Sequence, residues 1–295
     1  MRLSASMTGP LSVARVIGCS ALLAITAAGG ERLEAGTQPQ PPVVSLADAP
    51  EGADAGGVQW VQIAAPGVGT MLAAVARPES GSAAPAILLL HGTHGFAPEY
   101  VSLAKDLARG GVLAVAACWF SGGSGPGARF VGKPIPCPDA PRMPMAASPD
   151  ALRIVDALLQ AVRSLAGVRP DRVAILGHSR GAGATLNYIQ NASTVGAAIL
   201  NSGGYPEQIA DVAARVTVPV LILHGALDGP ASGGSEFTAV GRARGLEAAL
   251  RHTGKPVDAK YYEAGDHNSM FTNPAQRQDT VRRMLAFLRA RLMTR

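Results

Sequence analysis

A serine hydroxyl becomes a competent nucleophile only when a base takes its proton, and an imidazole does this best when a carboxylate orients it. This sequence holds such a set. Gly177-His178-Ser179-Arg180-Gly181 is a G-x-S-x-G pattern directly after the apolar run RVAIL and directly before a helical stretch rich in Ala and Gly. At a strand-to-helix turn this tight, the serine takes strained backbone angles, and glycine on both sides removes the β-carbons that would clash. Ser179 is expected at the carboxyl edge of a sheet, with a helix N-terminus behind it favouring negative charge.

In a chain with this turn the acid and then the base follow the serine. Of six histidines, His224, His252 and His267 lie after Ser179. His267 sits in GDHNSM, a loop between an apolar strand and the last helix, and is the expected base. His252 lies near a helical stretch, and His224 ends a strand whose next turn offers the acid instead. That acid is Asp228, in GALDGP after VPVLILHG, with Asp211 and Glu207 as a minor alternative; Asp266 adjoins His267 and cannot easily fold back onto its ring. Asp228 would accept the Nδ1 proton of His267 and so set its tautomer. An oxyanion also needs donors, expected from the Arg180 amide and the Thr93 amide in HGTHG, with His94 in reserve. His91 and His94 lack the i, i+4 spacing of a zincin helix and have no evident third ligand, so no metal is expected.

Elements must place these groups at one edge. Apolar runs at Val58–Ile63, Thr70–Ala76, Ala86–Leu90, Val112–Ala117, Arg172–Leu176, Gly196–Leu200, Pro219–Leu223 and Asp258–Tyr262 read as eight strands. The first two are joined too tightly for a helix and imply a hairpin. Later ones such as AILLL and VLIL are continuously apolar, as burial on both faces requires. Helical stretches at Pro98–Arg109, Pro149–Leu165, Ala182–Gln190, within Ser235–His252 and at Pro274–Arg291 fall between them. Strands alternating with helices predict an α/β fold, a mostly parallel sheet with helices on both faces.

HGTHG, GHSRG, LHGALD and GDHN, in that order between Val58 and about Arg291, make the chain resemble the α/β-hydrolase superfamily, within it the dienelactone-hydrolase-like branch of small serine esterases. The resemblance implies eight strands with a single antiparallel one, a Ser179–Asp228–His267 triad and no cofactor. Dienelactone hydrolases proper use cysteine where this chain has Ser179, so their particular substrate does not carry over. The expectation is hydrolysis of small or extended carboxylic esters through an acyl-enzyme. A secreted peptidase or amide hydrolase, or a binding protein on a hydrolase scaffold, is the alternative.

The rest of the chain sets limits. With 47% hydrophobic and 16% charged residues and a mean hydropathy of +0.18, it can build a large core. The net charge of +5 includes Arg2 and Arg15, leaving +3 without them, and aromatics are 4%, so nucleic acid is not an expected partner. Residues 1–28, with those two arginines, no acid and a 13-residue apolar run, predict a signal peptide and a secreted or periplasmic protein. That run is too short to span a bilayer, so the mature chain should have no stable membrane insertion. Residues 29–57 read as a flexible linker and 58–295 as one domain. Cys118 and Cys137 are equally compatible with a disulfide or with two free thiols. The Pro/Gly-rich stretch Ser121–Ala147 reads as a binding loop. Trp119, Phe120, Phe130, Met143 and Met145 could line a substrate pocket, although core packing explains Trp119 as well.

Overall fold

The computed structural model describes residues 40–293 apart from 52, 54, 55, 124–132 and 193. The expected leader at 1–28, linker residues 29–39 and Phe130 lie outside the described residues. Nine strands form one sheet: β1 Val43–Leu46, β2 Gln59–Ala65, β3 Gly69–Ala76, β4 Ala84–Leu90, β5 Leu113–Ala117, β6 Val168–His178, β7 Ala197–Asn201, β8 Val220–Gly225 and β9 Val257–Tyr262. Their spatial order is β1-β2-β3-β5-β4-β6-β7-β8-β9, parallel from β5 to β9.

Eight strands match the predicted runs, and β1 corrects the linker reading. It lies inside 29–57 and pairs antiparallel with β2, Val43 opposite Ala64. Four residues at an edge are too short to show a period, and backbone pairing with β2 and the half-buried Val44 define them. A second correction follows: β1 and β3 both run against the parallel strands, where one such strand was expected.

Helices α1 Pro98–Arg109, α2 Pro149–Ser164, α3 Arg180–Asn191, α5 Val240–His252 and α7 Pro274–Leu288 answer the predicted stretches, with α5 starting five residues later than the Ser235 bound. The short α4 Ile209–Arg215 and α6 Ser269–Thr272 were not foreseen, since one or two turns carry no readable period. Local chemistry starts the long ones: Ser148 Oγ accepts from Ala151 N (3.2 Å) and Asn273 Oδ1 from Gln276 N (3.1 Å), each ahead of a first-turn proline. α1 and α7 pack together on one face, and α2 to α5 form a chain of contacts on the other. Covered twice, all seven residues of β4 are buried.

The stretch after β5 is tied down at several points. Cys118 and Cys137 are disulfide-bonded, with Cα atoms 6.6 Å apart, and closing a loop of this length stabilises by about 3 kcal/mol in the chain-entropy model. Ser121 N donates to Pro141 O (2.7 Å) and Ile135 N to Phe96 O (2.8 Å). The basic C-terminal face is partly neutralised, Arg277 by Asp106 and Arg283 by Asp279 (2.6 Å each). Among the described residues no helix is long and apolar enough to cross a membrane.

Candidate active site

Ser179 stands between β6 and α3 with φ 54° and ψ −116°, a conformation that costs a non-glycine residue roughly 1–3 kcal/mol. Its surroundings enforce it. A β-carbon on Gly177 would sit 2.1 Å from the Gly181 carbonyl carbon, and one on Gly181 would sit 2.3 Å from Leu90 O. The two flanking glycines are therefore what lets strand, turn and helix close onto β4.

His267 Nε2 lies 3.0 Å from Ser179 Oγ, and His267 Nδ1 lies 2.9 Å from Asp228 Oδ2. All three side chains are buried. The base loop is shaped by its own aspartate: Asp266 Oδ1 accepts from Asn268 N (2.9 Å) and Ser269 Oγ (2.7 Å). Glu207, the weaker candidate acid, instead pairs with Arg242 (3.2 Å) on the surface, and Asp211 lies on α4.

Asp228 has further partners that sequence reading missed. His224 Nε2 is 3.1 Å from the same Oδ2 and 2.7 Å from Thr238 O. A carbonyl can only accept, so His224 carries its proton on Nε2 and shares it with the carboxylate. Thr238 Oγ1 lies 2.9 Å from Oδ1. Burial raises the Asp228 pKa, but the hydrogen bonds from His224 and His267 outweigh it and hold the carboxyl below its usual value. The acid stays ionised beside the imidazole it orients.

Among the described residues no carbonyl takes the amides of Thr93 or Arg180, the two expected oxyanion donors. The Arg180 side chain braces the neighbourhood: Nε donates to Thr93 Oγ1 (3.1 Å) and Nη1 to Pro144 O (2.8 Å). A cavity of about 740 Å³ opens beside Ser179, lined by Thr93, Arg180, Met145, Leu186, Tyr205 and Phe237 among others. Trp119 and Phe120 do not line it, a correction to the expected pocket. Both are fully buried, Trp119 with its indole N–H on His91 O (2.9 Å) and Phe120 edge-on to the His91 ring. Their position just past β5 turns them into the core, and among the described candidate apolar residues only Met145 reaches the cavity.

Behind the serine lies a second set of rings. Tyr100 Oη lies within hydrogen-bond distance of Gly92 N, His94 and His178, and His91 Nδ1 faces Gly92 O (2.9 Å). Burial pushes the pKa of His91 and His94 down to about 3, that of His178 well below its usual value, and that of the Tyr100 phenol well above its own. Neighbouring histidines add to the effect at His94 and His178. These imidazoles are neutral in the folded protein but protonate near pH 6.5 when unfolded. Their depressed folded values make stability complete above about pH 6.5 and lost as pH falls towards 3. Unfolding free energies from urea melts should fall between pH 6.5 and 4, more steeply than the single-proton slope of about 1.4 kcal/mol per pH unit, and the midpoints with them. A flat midpoint over that window would contradict neutral burial.

The family model for the dienelactone hydrolase family matches residues 71–291, three quarters of the chain and every group just described. The chain belongs to the dienelactone hydrolase family. Hydrolase activity on a small-molecule substrate follows from that membership. No curated protein matches the sequence. Among solved structures, a candidate dienelactone hydrolase from Klebsiella pneumoniae is 21% identical with TM-score 0.58, covering 74% of this chain and 92% of its own. An esterase from Pyrococcus furiosus is 11% identical with TM-score 0.61, covering 80% and 93%. An acylaminoacyl peptidase from Pyrococcus horikoshii is 15% identical with TM-score 0.60, covering 80% of this chain but 42% of that one. At these identities the likeness is one of fold. Within this dienelactone hydrolase family member, His224 carried a readable signal, four residues before the acid in LHGALD, whereas Tyr100 and Thr238 carried none.

Proposed function

We propose that this family member is a serine hydrolase of small or extended carboxylic esters, working through an acyl-enzyme. The observation that carries the reading is the hydrogen-bonded line Asp228–His267–Ser179 ending at an open cavity. Ser179 Oγ attacks the ester carbonyl carbon while its proton passes to His267 Nε2. The amides of Arg180 and Thr93 receive the oxyanion, and the imidazolium, stabilised by Asp228, returns the proton to the departing alkoxide. Water, deprotonated by the same imidazole, attacks the acyl carbon; the bond to Ser179 Oγ breaks, the imidazolium returns its proton to Oγ, and the acid leaves. Met145, Leu186 and Phe237 supply an apolar wall without enclosing the site.

We place the protein outside the cytoplasm, secreted or periplasmic, after loss of residues 1–28 as a leader. Support comes from their composition and from the Cys118–Cys137 bridge, a bond that persists in oxidising compartments.

The test sets a short-chain p-nitrophenyl ester against the matched p-nitroanilide, with a fluorophosphonate probe alongside. Turnover of the ester well above the amide, and covalent label on Ser179, are expected. Amide turnover equal to ester turnover would make the protein an amidase, and an unlabelled protein would make it a binder.

A further inference from the structure

One buried hydroxyl touches three separate parts of the proposed reaction centre. Tyr100, the third residue of α1, is 1% exposed. Its Oη lies 2.9 Å from Gly92 N, 2.7 Å from His94 Nε2 and 2.9 Å from His178 Nδ1. His178 Nε2 continues the line to His267 O at 3.3 Å. Gly92 immediately precedes Thr93, His178 immediately precedes Ser179, and His267 is the base itself. The phenol ring is held by stacking on His94 (centroids 5.6 Å, planes 10° apart) and by the edge of Phe271 (5.1 Å).

The directions of these hydrogen bonds follow from donor counting. A phenol oxygen offers one proton and two lone pairs. Gly92 N–H can only donate, which occupies one lone pair. His267 O can only accept, so His178 carries its proton on Nε2, and its bare Nδ1 takes the Tyr100 proton. The remaining lone pair of Tyr100 then accepts from His94 Nε2–H. With His178 neutral, one arrangement satisfies all four contacts. A doubly protonated His178 would instead need a bare His94 Nε2 to take the phenol proton, but burial holds the His178 pKa well below its ordinary value and keeps that ring neutral.

We propose that Tyr100 is a positioning residue for the reaction: its hydroxyl sets His94 and His178 as Nε2–H tautomers and so locks the oxyanion loop, the nucleophile turn and the backbone of the base to one another. The proposal rests on the serine-hydrolase reading for its kinetic consequence only. Tyr100→Phe removes the shared atom and leaves Gly92 N–H, His94 Nε2–H and His178 Nδ1 without it. Small displacements of positioned groups cost rates of up to about 100-fold.

Long-range proton–nitrogen NMR on the 15N-labelled full chain should show Nε2–H tautomers at His94 and His178. Tyr100→Phe should remove that signature at one or both rings and lower kcat by roughly 10- to 100-fold, with KM changed less than threefold. An Nδ1–H tautomer at either ring in the wild-type protein overturns the proposal. So does a folded Tyr100→Phe variant with kcat within threefold of wild type. If that variant does not fold, the wild-type tautomers decide. They are read without turnover, so a wild-type protein with the expected tautomers but no fluorophosphonate label refutes the hydrolase reading and leaves the hydrogen-bond assignment standing.

Discussion

Replacing Ser179 with alanine should reduce ester turnover by about 10⁴- to 10⁶-fold while leaving the protein folded. The size of the loss follows from what remains. Without Oγ there is no acyl-enzyme, and catalysis falls to whatever the Arg180 and Thr93 amides and the cavity give to attack by water. Folding should survive because the strain at φ 54° is imposed by β6, α3 and the two flanking glycines, none of which the substitution touches. Alanine adds no atom and removes only one polar partner of His267. The measurement is kcat/KM on the p-nitrophenyl ester with circular dichroism as the folding control. Turnover within tenfold of wild type would move the nucleophile elsewhere.

Asp228→Asn should cost about 10²- to 10⁴-fold in kcat, with KM changed only a few-fold. The reason lies in what holds the carboxylate. Thr238 Oγ1 faces Oδ1, while Oδ2 faces His267 Nδ1 and His224 Nε2. A carboxylate accepts at both oxygens, but an asparagine must place its NH₂ at one of them. If the amide oxygen stays opposite the Thr238 hydroxyl, the NH₂ confronts His267 Nδ1, which can then only accept. The imidazole proton moves to Nε2 and points at Ser179, and the base is disabled without any change of shape. The opposite amide orientation lets the NH₂ donate to the second lone pair of Thr238 Oγ1, whose own proton turns to Ser235 O (3.0 Å), and leaves a neutral oxygen for His267 Nδ1 and His224 Nε2. The tautomer then survives, but the negative charge that stabilises the imidazolium is gone, so both arrangements lower the rate. Loss of less than tenfold would exclude Asp228 as the acid and return attention to Asp211, which lies on the cavity wall.

These two expectations draw on different kinds of information. Ser179 was readable because its constraint is local: strand, tight turn and helix lie within a few residues of one another, and only glycine on both sides permits the junction. The apolar runs AILLL of β4 and VLIL of β8 were readable for a similar reason, since burial on both faces selects apolar residues at successive positions. Asp228 and His267 followed from their place in the order of strands and loops. By contrast β1 escaped notice because four residues, three of them exposed, are too few to show a burial pattern, and it is recognised through its partner β2. Trp119 and Phe120 could have faced either a pocket or the core, and the direction of the chain leaving β5 decided for the core.

By itself, then, the sequence determined the α/β class, the G-x-S-x-G turn and which groups gather at the sheet edge. Periodicity, turn chemistry and glycine placement are properties of neighbours in the chain. Only the tertiary structure decided which atoms meet: the Cys118–Cys137 bridge, the pairing of Asp228 with His224, and the Tyr100 hydroxyl between Gly92, His94 and His178. The Tyr100–His178 contact spans 78 residues and the His178–His267 contact 89. Contacts at such separations depend on how strands are ordered and helices packed, and the Tyr100 hydroxyl leaves no local pattern from which its partners could be read.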